Sequence, residues 1–221
     1  MRFMTFALLS PAVFALSGCL VTTNSLVADV FEARDDVDGF YAASVSATLP
    51  SAGTATYEGF SRITSYSPSD PRFADVFIGT ADLTATVDAA GADLSGRLSN
   101  FTVAENLAYA DYVAIISAYS ASHTPGQRQA FVDDVAAISE QVDGSITVSA
   151  SNQMNPGSML TYFSGTLWNG ATTTTIGGAG ESAFYGTGQE YISTYGDTAG
   201  ALTVTKNGVP YRGSVEAVVG R

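Results

Sequence analysis

The chain has 221 residues, with 21 acidic against 9 basic side chains and a net charge of −12. That balance excludes a nucleic-acid partner, which would need clustered Lys and Arg to neutralise phosphates. A single cysteine and a single histidine leave no intramolecular disulfide and no thiolate or multi-imidazole zinc cluster, so the domain must be held by its core.

In chain order, Arg2 is followed by a mostly apolar run from Phe3 to Leu16 and then by Leu16-Ser17-Gly18-Cys19. A charged start, a short apolar stretch and small residues before a cut are the anatomy of a secretory signal, here residues 1–18. The run is short against the roughly 20 residues of a membrane span. The four residues ending at Cys19 resemble the lipobox of bacterial lipoproteins. That resemblance implies cleavage before Cys19, acylation of the cysteine and anchoring by lipid, with Leu20 at the next position favouring the outer membrane. Cleavage would remove Arg2 alone among the charges, leaving a net charge near −13. Residues 19–38, ending in Glu32, Asp35, Asp36 and Asp38, read as a tether, with a short helix around Val27 to Arg34 as the alternative.

From Thr80 to Asp88, Ala81, Leu83, Ala85 and Val87 share one face while the polar residues share the other, the period of a half-buried strand. A turn at residues 89–92 returns the chain through Leu94, Gly96 and Leu98. The same alternation recurs at Ile146, Val148 and Ala150, at Phe163, Gly165 and Leu167, and at Leu202 and Val204. Asn207-Gly208 then predicts a type I′ hairpin into Tyr211, Gly213, Val215 and Ala217. Weaker strand patterns cover Phe40–Thr48, Gly53–Ile63, Ser182–Gly186 and Tyr191–Tyr195. Gly177-Gly178-Ala179-Gly180 lacks the lysine of a phosphate loop and reads as a hairpin loop.

Eight or nine short alternating strands predict an all-β fold, an antiparallel barrel of about eight strands over residues 39–221, in preference to a sandwich. Glycines on the inward parity at Gly96, Gly165 and Gly213 suit the bending of a small barrel. The pattern breaks over residues 103–141. There Thr124-Pro125 predicts a helix start, and Phe131, Val132, Val135, Ala136 and Ile138 form one helical face to about Glu140. Glu105–Tyr119 reads as a partner helix or a strand, and the stretch as a helical insertion.

The order Gly53-Thr-Ala-Thr-Tyr-Glu-Gly-Phe60, Leu94-Ser-Gly-Arg-Leu-Ser-Asn-Phe101, Phe163-Ser-Gly-Thr-Leu167, Ala183-Phe-Tyr-Gly186 and Tyr211-Arg-Gly-Ser-Val215, behind a lipobox, resembles the lipoprotein barrels related to transferrin-binding protein B. The resemblance spans about residues 39–221. It implies an eight-stranded barrel displayed at the cell surface, a protein or small-solute ligand and a link to iron uptake. Relatives that capture transferrin have two lobes with handle domains; this chain has room for one barrel, and its helical insertion lies outside the family pattern.

His123 stands before Thr124-Pro125 in an expected loop, which argues against a serine hydrolase relay. Asp133-Asp134 and the Asp35-Asp36-Asp38 run lack the spaced ligands and glycine turn of a calcium loop and read as solvated. No cofactor motif is found. Tyr109, Tyr112 and Tyr119 in the insertion and Trp168 before the Asn169-Gly170 turn are the candidate binding residues, because large amphipathic rings at loops are enriched at interfaces. For the tyrosines, packing on the barrel is the competing reading. The expected function is non-enzymatic: a lipid-anchored envelope protein that binds a protein or solute. The alternatives are a structural lipoprotein docked on another outer-membrane component and a hydrolase using two carboxylates within about 10 Å of each other.

Overall fold

The computed structural model describes residues 21–46, 52–89, 91–119, 124–155 and 158–221. The signal segment, Cys19 and His123 lie outside the described residues. The strands are β1 (Gly53–Tyr66), β2 (Phe73–Asp88), β3 (Gly91–Ala108), β4 (Glu140–Gln141), β5 (Asp143–Asn155), β6 (Ser158–Trp168), β7 (Thr173–Tyr185), β8 (Tyr191–Asp197), β9 (Leu202–Lys206) and β10 (Val209–Gly220). All pairings are antiparallel, and β1 pairs β10 to close the ring. β8 and β9 share one position, each bonded to both β7 and β10. The two-residue β4 lies off the ring beside β3. The result is a closed eight-stranded antiparallel barrel, as the alternation predicts.

Inward residues fill the interior. Tyr57, Leu83, Leu98, Phe101, Ile146, Phe163, Ile176 and Phe184 are fully buried in one continuous core. The expected inward glycines sit where strands approach closely: a Cβ on Gly96 would lie 2.1 Å from the Asp82 carbonyl oxygen, and one on Gly165 equally close to that of Ser145. The Asn207-Gly208 turn has φ of 50° and 78°, the two positive values that a type I′ hairpin demands.

Three helices cover one flank of the barrel. α1 (Thr23–Asp36) starts at a capping box between Thr22 and Ser25 and turns Val27, Val30 and Phe31 inward at i, i+3 and i+4 spacing. α2 (Tyr109–Tyr119) and α3 (Pro125–Ala137) form the insertion. They pack with α1 on Phe60, Ala74, Val76, Ile78 and Val218 from the outer faces of β1, β2 and β10, a second core. Asn24 donates to Asp133 at 2.7 Å, Arg128 pairs with Asp35 at 2.7 Å, and Phe31 meets Phe131 edge-on at 5.4 Å.

Several expectations need correction. Within the expected tether, residues 23–36 are a docked helix, because three apolar residues on one face find a sheet to cover. Phe40–Thr48 is not a regular strand among the described residues. Asp38–Ala42 is a 3-10 helix, Phe40 stands edge-on to Tyr185 at 4.7 Å, and Val45 makes one isolated bridge to Tyr185. Gly177–Gly180 is not a loop but the middle of β7, where pairing passes from β9 to β8. The insertion's helices occupy only 109–137, since β3 continues through Ala108. Glu105–Tyr119 is thus strand and then helix. α3 stops at Ala137, short of Glu140, and its predicted face is buried at Val132 and Val135 but exposed at Ile138.

Candidate functional site

With the barrel interior occupied by its own side chains, the surface with the most chemistry is the outer wall. One row crosses it in strand register. Leu160 on β6 faces Glu181 on β7, which faces Tyr195 on β8, then Glu216 on β10, Arg62 on β1 and Ile78 on β2. All six have outward parity, since Met159, Ser182, Thr194, Ala217, Ser61 and Phe77 next to them are buried. Neighbouring strands lie about 4.8 Å apart, so the carboxylates of β7 and β10 rise from backbones roughly 10 Å apart with Tyr195 between them.

The helical end of this row forms a cavity of about 400 Å³ between α1, α2 and the sheet. Arg34 enters from the last turn of α1 and Arg62 from β1, two of the nine basic residues of a strongly acidic chain. Arg62 donates through Nη2 to Glu216. Its Cζ lies 5.8 Å from the Tyr112 ring centroid, and that of Arg34 lies 6.0 Å from Tyr41. Burial works against the Arg62 charge, but Tyr112 and Glu216 outweigh it and hold the guanidinium above its ordinary value. Burial pushes the Tyr112 hydroxyl up, with Arg62 opposing. That hydroxyl is sealed from solvent and has no partner in hydrogen-bonding geometry among the described residues, although Arg62 lies near enough to act on it electrostatically.

The bare end of the row lies beside an open groove of about 510 Å³ on the outside of β6, β7 and β8. Its floor is small, Ala179 and Ala183 on the outward face of β7 to either side of Glu181, with the Gly180 backbone between. A Cβ on Gly180 would lie 2.2 Å from the Tyr195 carbonyl oxygen. Tyr195 donates its hydroxyl to Asp197 Oδ2 at 2.9 Å, and Asp197 Oδ1 accepts from the backbone N–H groups of Gly200 (2.9 Å) and Ala199 (3.0 Å). The Gly200 N–H and the Tyr195 hydroxyl together hold the Asp197 carboxyl below the usual range. Burial and Asp197 raise Tyr195. Glu181 stands exposed and makes no ion pair among the described residues.

A third polar cluster is structural in form. Lys206, the only lysine, bridges Asp75 at 2.7 Å and Glu105 at 3.1 Å, tying β9 to β2 and β3 at one end of the barrel. Asn169 adds a 3.2 Å bond to Glu105.

Of the aromatic candidates, Tyr109 and Tyr112 stand together, ring centroids 6.2 Å apart, but they differ in exposure. Tyr112 is 5% exposed and packs in the helix-covered core, whereas Tyr109 remains 38% exposed and leans on Tyr66 at 5.8 Å. Tyr119 ends α2, and its side chain lies outside the description. Trp168, at the last position of β6, is 49% exposed. Arg34, Arg62, Glu181, Tyr195 and Glu216 were not anticipated. The outward parity of Arg62, Tyr195 and Glu216 is readable on their strands, but only the register sets them beside Glu181, and only the docking of α1 brings Arg34 to them. Glu181 and Glu216 stand two strands apart, roughly 10 Å at the backbone, but Glu216 is committed to Arg62 and so is not free to serve as one of two catalytic carboxylates.

No group of three or more potential metal ligands occurs among the described residues, and none of their helices is long and apolar enough to cross a membrane. Compared with protein-family models, curated proteins and solved structures, the chain matches none.

Proposed function

We propose that this chain is a lipid-anchored envelope protein that binds a protein or solute ligand on the outer wall of its barrel. The observation that carries this reading is the division of labour in the fold: the interior is closed by packed side chains, while a row of charged and aromatic groups runs across the outside in register. A filled barrel serves as a scaffold, and recognition moves to its wall. The Leu-Ser-Gly-Cys sequence supports the anchor. Only Leu20 and Val21 separate Cys19 from the Thr22 cap of α1, a reach of about 10 Å for an extended chain. The barrel would therefore ride close to the lipid surface, with α1 next to it.

Labelling with a palmitate analogue tests the anchor. The intact chain is expected to take up label and fractionate with membranes, while Cys19→Ala loses both. Unchanged fractionation of that variant would sink the anchor. A photo-crosslinking residue at position 193, which lines the groove on β8, compared with one at position 88 on the β2–β3 hairpin, tests recognition in intact envelopes. Equal capture, or none, at the two positions would remove the outer-wall reading.

A further inference from the structure

We infer that the groove over β6, β7 and β8 is a docking surface for a basic, extended segment of a partner protein, with an Arg or Lys side chain seated between the Glu181 carboxylate and the Tyr195 ring. This rests on the reading of the chain as a binding protein and names the chemistry of its partner.

Charge is the first argument. The groove is lined by two carboxylates, Glu181 and Asp197, and by no basic residue, on a chain whose net charge is −12. A field of that sign concentrates cations and speeds their encounter. Asp197 is already occupied by Tyr195, Ala199 and Gly200 and so fixes the ring rather than waiting for a ligand. Glu181, directly across from Tyr195 in the sheet, has no cation of its own among the described residues. A guanidinium or ammonium above the ring and beside this carboxylate would satisfy both, as a cation–π contact joined to a charge-assisted hydrogen bond.

Shape is the second argument. The groove is open to solvent, whereas sites for free small molecules bury most of their ligand. Three large apolar side chains, Leu160 and Tyr162 on β6 and Tyr195 on β8, stand about half exposed on the two strands that flank β7. Clustered exposed rings and aliphatic groups mark protein interfaces. The small floor leaves depth for one long side chain, and the aromatic rim gives the partner's backbone a surface to lie on.

The test uses the full chain in detergent micelles and a fluorescein-labelled Gly-Arg-Gly-Arg-Gly peptide, read by anisotropy at low and high salt. Binding is expected at low salt and should weaken as salt rises. Glu181→Gln is expected to weaken it at least fivefold and Tyr195→Ala similarly, with the far-UV spectrum unchanged. Asp134→Asn, which removes the same charge from α3, is expected to leave it unaltered. If Asp134→Asn weakens binding as much as Glu181→Gln, the peptide reads only net charge and the proposal fails. Failure also follows if Glu181→Gln binds like the unaltered chain. If spermidine competes as well as unlabelled peptide, the groove takes small polyamines and the partner-protein proposal is overturned. None of these results bears on acylation of Cys19 or on crosslinking at position 193, so the wider reading stands or falls separately.

Discussion

The outer wall of this barrel has two sectors built on the same strands-in-register plan. Along β2 from Ala74 to Gly79 every residue is buried, because Phe77 and Gly79 face the barrel core, Asp75 is held there by Lys206, and Ala74, Val76 and Ile78 lie under the helices. Along β6 burial alternates from Met159 to Phe163, with Leu160 and Tyr162 facing solvent. The difference comes from what covers the strand and not from the strand itself. A sheet roofed by helices needs apolar residues on both faces; a sheet open to water needs them on one.

The comparison breaks most severely from inside. Phe163→Ala empties the shared interior and should cost about 3–5 kcal/mol, lowering the denaturation midpoint equally by circular dichroism and by tyrosine fluorescence. Phe31→Ala, in the roof, should cost less, about 2–3 kcal/mol, because α1 can settle into the space. Its signature is regional: hydrogen exchange should accelerate in α1 and α3 while β6 and β8 keep their protection. Uniform acceleration would mean that the roof and the barrel are one cooperative unit. Gly165→Ala forces a methyl against the Ser145 carbonyl, where no side chain can yield. We expect about 1–3 kcal/mol of destabilisation, measured by urea titration, with the loss of protection centred on β5 and β6 in the bare sector.

Thr124→Ala removes the α3 cap, whose side chain accepts from Gln127 N–H, and should cost about 1 kcal/mol; exchange should rise at the first turn of α3 alone. The smallest effect belongs to the bare sector. Asp197 has a lowered carboxyl pKa in the folded state, so its contribution is present above the unfolded value of about 3.9 and is lost as pH falls through the folded one. Amide exchange at Ala199 and Gly200 should therefore rise below about pH 4, and Asp197→Asn should flatten that dependence.

Strand segments open to water were also the readable ones, β7 apart, where the Gly177–Gly180 run hid the alternation. Ala81 to Val87, Leu94 to Leu98, Ile146 to Ala150 and Phe163 to Leu167 alternate because one neighbour of each pair meets water, and the strands follow from that alone. β3 lost its pattern after Leu98 for a local reason. Its pairing with β2 slips opposite Ile78 and Thr80, Asn100 takes a φ of 55°, and inward parity passes to Phe101 and Val103. A bulge of one residue inverts every later side chain, so the continuation looked like the start of something else. In the roof, Val27, Val30 and Phe31 carried a helical spacing diluted by the acidic residues around them, and a docked helix could pass for a tether. Tyr112 was legible as an interface-type residue in an insertion, but whether it faced a partner or the barrel depended on where α2 folds back.

The sequence by itself determined what depends on near neighbours in the chain: strand faces, the Asn207-Gly208 turn, the Thr124 cap and the inward glycines. These follow from periods of two and 3.6 and from backbone preferences. The tertiary structure alone decided what depends on strands far apart in sequence. Glu181, Tyr195, Glu216 and Arg62 become a single row only because β7, β8, β10 and β1 pair in one particular register, and the covered flank exists only because three helices separated in the chain fold onto the same sheet.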